Sequence, residues 1–161
     1  MFNYIKTGLI DITEQDIFKL ENYCIKWGIK GNKWYKEDWI YGNLSADELT
    51  YLNDLRKKII NPLIQLKDEM SKQKTVEGIS KELYGFLQGN GILTKLKEKI
   101  ERFEEIGQTE LANEYETGIN VLVQVLDELV MIFKDKKVSF EKYRELIKIG
   151  LQNKGLGAIP A

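Results

Sequence analysis

Residues 23–42 read YCIKWGIKGNKWYKEDWIYG, and this stretch decides how the rest of the chain is understood. All three tryptophans of the protein, Trp27, Trp34 and Trp39, fall inside it. So do Tyr23, Tyr35 and Tyr41, the glycines Gly28, Gly31 and Gly42, and the lysines Lys26, Lys30, Lys33 and Lys36. Glycine at this density opposes a regular helix. An aromatic, basic loop set among helices is either a plug for the core or a binding surface. Indoles carry a large apolar area and favour the first reading. Lysines beside rings that can stack on bases favour the second.

Working outward from the loop, the flanks are helical. Upstream, Thr13 is a fit N-cap, with Glu14 and Asp16 in the first turn where the helix dipole favours acids. Ile17, Leu20, Tyr23/Cys24 and Trp27 follow at helical spacing, and Gly28 stops the run. Residues 2–7 read as a helix end closed by Gly8. Downstream, Ser45-Ala46-Asp47-Glu48 is a capping box. It opens a long helix through Leu49, Leu52, Leu55, Ile59, Leu63, Leu66 and Met70. Pro62 lies inside that run and removes one backbone donor, so a kink or break near residues 58–61 is expected.

Thr75 caps the next helix, and Gly89-Asn90-Gly91 turns it into another that ends at Gly107. Thr109 starts the most apolar helix, through Leu111, Tyr115, Ile119, Leu122/Val123, Leu126, Leu129/Val130 and Phe133, placed at the centre of the core. A turn at Asp135-Lys136-Lys137 leads to a last helix capped by Ser139. No segment alternates as a strand would. The fold class is therefore all-α: an irregular bundle of six to seven helices with one long aromatic-basic loop, read as a single helical domain over 1–161.

Composition narrows the function. The chain has 161 residues, 43% apolar and 30% charged, with 24 basic and 25 acidic side chains and a net charge of −1. Any attraction to nucleic acid must then come from a local patch. There is no histidine and one cysteine. These counts leave no Ser-His-Asp triad, no disulfide and no cysteine pair for structural zinc. Cys24, at helical spacing between Leu20 and Trp27, reads as a small buried residue. Residues 119–133 are interrupted by Asn120, Gln124, Asp127 and Glu128, which excludes a membrane span there. No phosphate-cradling glycine loop, dinucleotide fingerprint or calcium loop is present. The acid-x-Lys string Asp135-Lys136-Lys137 lies in a turn, where a two-metal nuclease arrangement has no strands to stand on. Neither a catalytic nor a metal-ligating residue is assigned.

The string Leu20-Glu21-Asn22-Tyr23-Cys24-Ile25-Lys26-Trp27-Gly28-Ile29-Lys30-Gly31-Asn32-Lys33-Trp34 resembles a stretch in the B subunit of the ATP-dependent helicase–deoxyribonuclease of Gram-positive bacteria, the AddB/RexB-like family. There a helix of the form L-E-N-Y-x-L runs into G-I-[RK]-G-x-[KR]-W. Tyr4-Ile5-Lys6-Thr7-Gly8-Leu9 is similar to that family's Y-L-K-T-G-L. Lys74-Thr75-Val76, Leu83-Tyr84-Gly85-Phe86-Leu87 and the tail Gly155-Leu156-Gly157-Ala158-Ile159-Pro160 extend the likeness over nearly the whole chain. The N-terminal motif is the specific part.

The resemblance implies an internal piece of a larger subunit: the helical accessory, 2B-type domain of a helicase-like fold. The uncapped start Phe2-Asn3-Tyr4-Ile5 and the apolar tail GLGAIPA are expected from cuts within such a protein. The implied setting is cytoplasmic repair and recombination at double-strand breaks. The implied partners are DNA, the A subunit and other domains of the B subunit. ATP and Mg²⁺ would be used elsewhere in the complex, and no catalytic position of the family maps onto this chain. Lys26, Lys30, Lys33, Trp34 and Lys36 are the candidates for a nucleic-acid or interdomain contact, whereas Tyr23, Trp27 and Ile29 are expected to anchor the core. The alternative is a protein-interaction scaffold without nucleic-acid contact. It predicts an exposed apolar patch around Phe2, Ile5, Leu156 and Ile159.

Overall fold

The computed structural model describes residues 1–155, and within them the protein is all-α. Seven α-helices follow in order: α1 (Phe2–Ile5), α2 (Glu14–Lys26), α3 (Ala46–Lys72), α4 (Val76–Gly89), α5 (Ile92–Glu105), α6 (Thr109–Phe133) and α7 (Phe140–Asn153). A short 3-10 turn, Gly31–Trp34, lies in the loop between α2 and α3. The chain packs as two compact units, Met1–Gln65 and Leu66–Ala161.

The helix ends follow the expected chemistry. Thr13 Oγ1 accepts from the Asp16 amide at 3.2 Å, Thr75 Oγ1 from Gly78 at 3.2 Å, and Ser139 Oγ from Lys142 at 3.2 Å. The capping box closes both ways: the Ser45 amide donates to Glu48 Oε2 at 2.9 Å, and the Glu48 amide donates to Ser45 Oγ at 3.3 Å. At the end of α2, Gly28 sits at φ +58°. The Ile29 amide reaches back to the Cys24 carbonyl at 2.8 Å, and that of Gly28 to Ile25 at 3.4 Å. This paired closure needs a left-handed residue, which glycine supplies without a Cβ clash.

Of the two outcomes expected at Pro62, a kink or a break, the break does not occur. Pro62 neither breaks α3 nor splits it in two, and the helix is continuous from Ala46 to Lys72. The proline removes only the donor that would have met the Lys58 carbonyl. Leu52, Ile59, Ile60 and Met70, flanking it on both sides, are all buried, and that packing outweighs one lost bond.

In the first unit the core comprises Ile5, Leu20, Tyr23, Cys24, Ile29, Trp34, Trp39, Leu52, Ile59 and Ile60. Ile5 is fully buried, and Phe2 lays its ring edge-on to Trp34 with centroids 5.7 Å apart. The apolar patch expected around Phe2 and Ile5 is thus consumed by the unit's own core, while Leu156 and Ile159 lie outside the described residues. Burial pushes the Cys24 thiol up to about 12, as befits a packed side chain with little thiolate character.

In the second unit α6 packs against α4, α5 and α7, the central place its apolarity predicts. Met70, Val76, Ile79, Val125, Leu129 and Tyr143 form the core. The Tyr143 and Ser80 hydroxyls meet at 2.7 Å inside it. α7 approaches α6 so closely that a Cβ on Gly150 would stand 2.6 Å from Val125 Cγ1. Residues 74–77 are stapled to 134–138 by the Val76, Glu77 and Val138 amides, with an isolated bridge between Thr75 and Lys137. The Asp135-Lys136-Lys137 string forms part of that staple.

Candidate functional site

Loop 27–45 is built around Trp39. Its side chain is fully buried, with a relative exposure of 0%. Tyr23 stacks on it at 5.5 Å, and Trp34 meets it edge-on at 5.1 Å. Polar groups close the same cluster. Trp39 Nε1 donates to the Lys33 carbonyl at 2.9 Å. The Trp39 amide donates to Asn53 Oδ1 at 2.8 Å, and Asn53 Nδ2 returns a bond to the Trp39 carbonyl at 2.9 Å. The carboxamide of Asn53 thus satisfies both backbone groups of a residue that no strand or helix serves. Tyr23 donates its hydroxyl to the Tyr41 carbonyl at 2.8 Å.

Arg56, one turn beyond Asn53 on α3, is 4% exposed. Its Nη1 donates to the Trp34 carbonyl at 3.0 Å, its Nη2 pairs with Asp38 Oδ1, and its guanidinium lies 5.7 Å from the Trp39 ring centroid. Lys57 Nζ joins the same Asp38 oxygen at 3.2 Å. A buried arginine with two anchored nitrogens holds the outer arc of the loop to α3.

This arrangement corrects one candidate. Trp34 is 3% exposed and packs inside the core, so its ring is not presented to a nucleic acid or a neighbouring domain. Its indole area buries against Phe2 and Trp39. The lysines lie outward, in three places. Lys26 places its ammonium 5.5 Å from the Trp27 ring and Lys33 places its own 5.0 Å from Tyr41. Trp27 and Tyr41 stack at 6.2 Å, so these two cations flank one aromatic pair. Lys30 is exposed at the entry to the 3-10 turn. Lys36 lines a hollow of about 350 Å³ with Tyr35, Glu37, Asp38, Arg56 and Lys57. Of the expected core anchors, Tyr23 and Ile29 are buried and Trp27 is half-buried. Trp27 rests on Gly42, where φ is +94° and a Cβ would come within 2.9 Å of the indole.

A larger groove, about 550 Å³, runs beside Trp27 and is lined by Phe18, Lys19, Lys26, Asn43, Glu48 and Tyr51, among others. Phe18 and Tyr51 are exposed, and Lys19 sits 5.1 Å from the Tyr51 ring.

No family model matches the chain. Individual relatives do. It is 34% identical over 171 residues to the B subunit of the ATP-dependent helicase/deoxyribonuclease of Caldanaerobacter subterraneus, a match covering 99% of the chain and 15% of that relative. The protein of the same name from Acetivibrio thermocellus is 33% identical over 172 residues, with 100% and 15% covered. That from Clostridioides difficile is 32% identical over 170, with 99% and 15% covered. The chain is a homologue of one segment of the helicase/deoxyribonuclease B subunit. It spans 15% of the length of these curated relatives.

Within this B-subunit segment, Asn53 and Arg56 are the residues that sequence reading passed over. Their signal was positional. On α3, 49, 52, 53, 56, 59, 60 and 63 share one face at three- and four-residue steps, and two of those seven are polar. A polar residue on an inward stripe calls for a partner, and here both partners lie in the loop. Among the described residues no three His, Cys, Asp or Glu side chains cluster as a metal site would require.

Proposed function

We propose that this chain is a non-catalytic helical accessory segment of an ATP-dependent helicase–deoxyribonuclease B subunit, acting in double-strand break repair and recombination in the cytoplasm. The observation that carries this reading is the match of 99% of the chain to 15% of relatives bearing that name. In this reading the ATP- and Mg²⁺-dependent steps belong to other parts of the parent complex. The segment supports them by contacting DNA, the A subunit or other domains of its own subunit. The contact surface is the outer face of the loop, where Lys26, Lys30, Lys33 and Lys36 project from a scaffold locked by Trp39, Asn53 and Arg56. Lysines on a rigid frame neutralise phosphates at low ordering cost.

The test is binding of the 161-residue chain to single-stranded and forked DNA across a salt series. The expected outcome is affinity that falls as salt rises, and falls roughly tenfold or more when Lys30, Lys33 and Lys36 are all changed to Ala. No binding even at low salt would remove DNA and leave packing against protein as the role. That second reading has its own support. Met131 and Ile132 near the end of α6 are 78% and 68% exposed. Tyr84 and Met131 also flank a hollow of about 610 Å³ beside α4 and α6. Exposed apolar surface of this kind suits a protein neighbour.

A further inference from the structure

We propose that the hollow beside Arg56 is a phosphate-binding subsite, with Asp38 as an internal anion that occupies it in the absence of ligand. The inference rests on the proposed DNA contact and deepens it by giving a terminal phosphate of a strand a defined seat, and it adds Arg56, Lys57 and Asp38 to the candidate residues.

The geometry begins with Arg56. A nearly buried guanidinium cannot shed its charge, so it requires an anion. Its Nη1 is committed to the Trp34 carbonyl at 3.0 Å, which fixes the plane of the group. Nη2 points to Asp38, and Nε is buried without a hydrogen-bond partner. An orphaned charged donor in an otherwise satisfied cluster marks a place where a further acceptor would be favourable. The anion now present is open to water on one side. The Asp38 side chain is 59% exposed and sits on the loop, while its partner is 4% exposed on α3.

Three cations line this hollow: Arg56, Lys57 and Lys36. Asp38 serves two of them. Its Oδ1 takes Arg56 and Lys57 Nζ at 3.2 Å, and its Oδ2 lies 3.4 Å from the same Lys57 nitrogen. A carboxylate has no third oxygen for Lys36. A phosphate monoester does, and it carries up to two negative charges where the carboxylate carries one. The second acid of the hollow is turned elsewhere: Glu37 Oε1 accepts from the Tyr41 hydroxyl at 3.2 Å. The half-exposed Tyr35 ring at the rim offers a face to whatever carries the phosphate. Binding is therefore an exchange of one anion for another. The Asp38 carboxylate moves to water and the phosphate oxygens take over the Arg56 and Lys57 donors.

The experiment is a titration of the 161-residue chain with inorganic phosphate, against chloride at matched ionic strength, following the Arg56 Nε–H resonance by NMR. A parallel titration uses a 5′-phosphorylated single-stranded oligonucleotide. The near-isosteric Asp38→Asn, which keeps an acceptor for Arg56 and removes the competing charge, is expected to tighten phosphate binding roughly tenfold. Lys57→Ala and Lys36→Ala are expected to weaken it several-fold. A purely structural Asp38 would instead lower the melting temperature and leave phosphate affinity unchanged in a folded Asp38→Asn chain, and that result overturns the proposal. Should Asp38→Asn fail to fold, phosphate affinity unaltered by both lysine variants overturns it equally. Phosphate binding that responds as stated, without oligonucleotide binding, supports the subsite with a free anion as its source and breaks the DNA reading. Salt-dependent oligonucleotide binding that is indifferent to Asp38, Lys36 and Lys57 does the reverse.

Discussion

The two compact units are held together by different chemistry. The second is built from regular helices, α4 and α7 opened by the side-chain caps Thr75 and Ser139, and its interior is mainly aliphatic, with a single hydroxyl pair, Ser80–Tyr143, inside it among the described residues. The first closes its core with an irregular loop, so its interior must also satisfy backbone that no helix serves. It does so with two polar side chains of α3, Asn53 and Arg56. A core closed by regular elements is limited by packing, whereas one closed by a loop is limited by polar satisfaction.

That contrast predicts where each unit breaks. The largest effect belongs to Trp39→Ala, which removes the ring at the centre of the first core and leaves the Lys33 carbonyl without its indole donor. A loss of about 3–5 kcal/mol is expected. Hydrogen exchange should read it as lost protection in residues 1–65, and equal loss across residues 66–155 would contradict the division. Asn53→Leu comes next, because shape and apolarity are nearly kept while both Trp39 backbone groups lose their partner. We expect about 2–4 kcal/mol from urea unfolding, a cost of unsatisfied polar groups with little change in volume. A near-neutral result would mean that the loop re-forms its bonds with water.

In the second unit the sharpest packing test is Gly150→Ala. One methyl group 2.6 Å from Val125 Cγ1 forces α7 away from α6, at about 1–3 kcal/mol. The double change Gly150→Ala with Val125→Ala should recover part of that loss, which a defect confined to the α7 backbone would not allow.

The smallest effect concerns pH. The Ser45 amide and hydroxyl hold the Glu48 carboxyl below its ordinary value of 4.5. A folded-state value lower than the unfolded one means that the contribution is full above that ordinary value. It fades as pH falls through the folded one. Melting temperatures between neutral pH and pH about 3 should therefore drop less steeply for Glu48→Gln than for the parent chain. Burial has the opposite effect on phenols, raising Tyr23 and Tyr143 above 10.0, so both stay protonated throughout this range.

Much of the fold was legible because helix punctuation is local. Thr13, Ser45, Thr75 and Ser139 each find an amide three residues away, and Gly28 and Gly107 end α2 and α5 with left-handed turns. The apolar run of 109–133 marked the central helix of its unit for the same reason. What could not be read was set by residues distant in sequence. The direction of Trp34 depends on Trp39 and on Phe2, and the loop's path on Asn53 and Arg56, which sit 14 and 22 residues from the backbone atoms they hold. The break considered at Pro62 does not occur because its cost is local whereas its compensation, the packing of α3, is not. The boundary near residue 65 carries no break in the helix, since α3 runs through it, Pro62 included, as one continuous element.

The clustering of Trp27, Trp34 and Trp39 has an optical consequence. Every indole of the protein lies within residues 1–65, so the second unit contributes only tyrosine and phenylalanine to ultraviolet emission. Selective excitation at the red edge therefore reports the first unit alone, while far-ultraviolet circular dichroism sums the helices of both. Following one unfolding reaction by the two signals separates the units without a label. A ligand seated beside Trp27 or Arg56 would alter emission from the native chain directly.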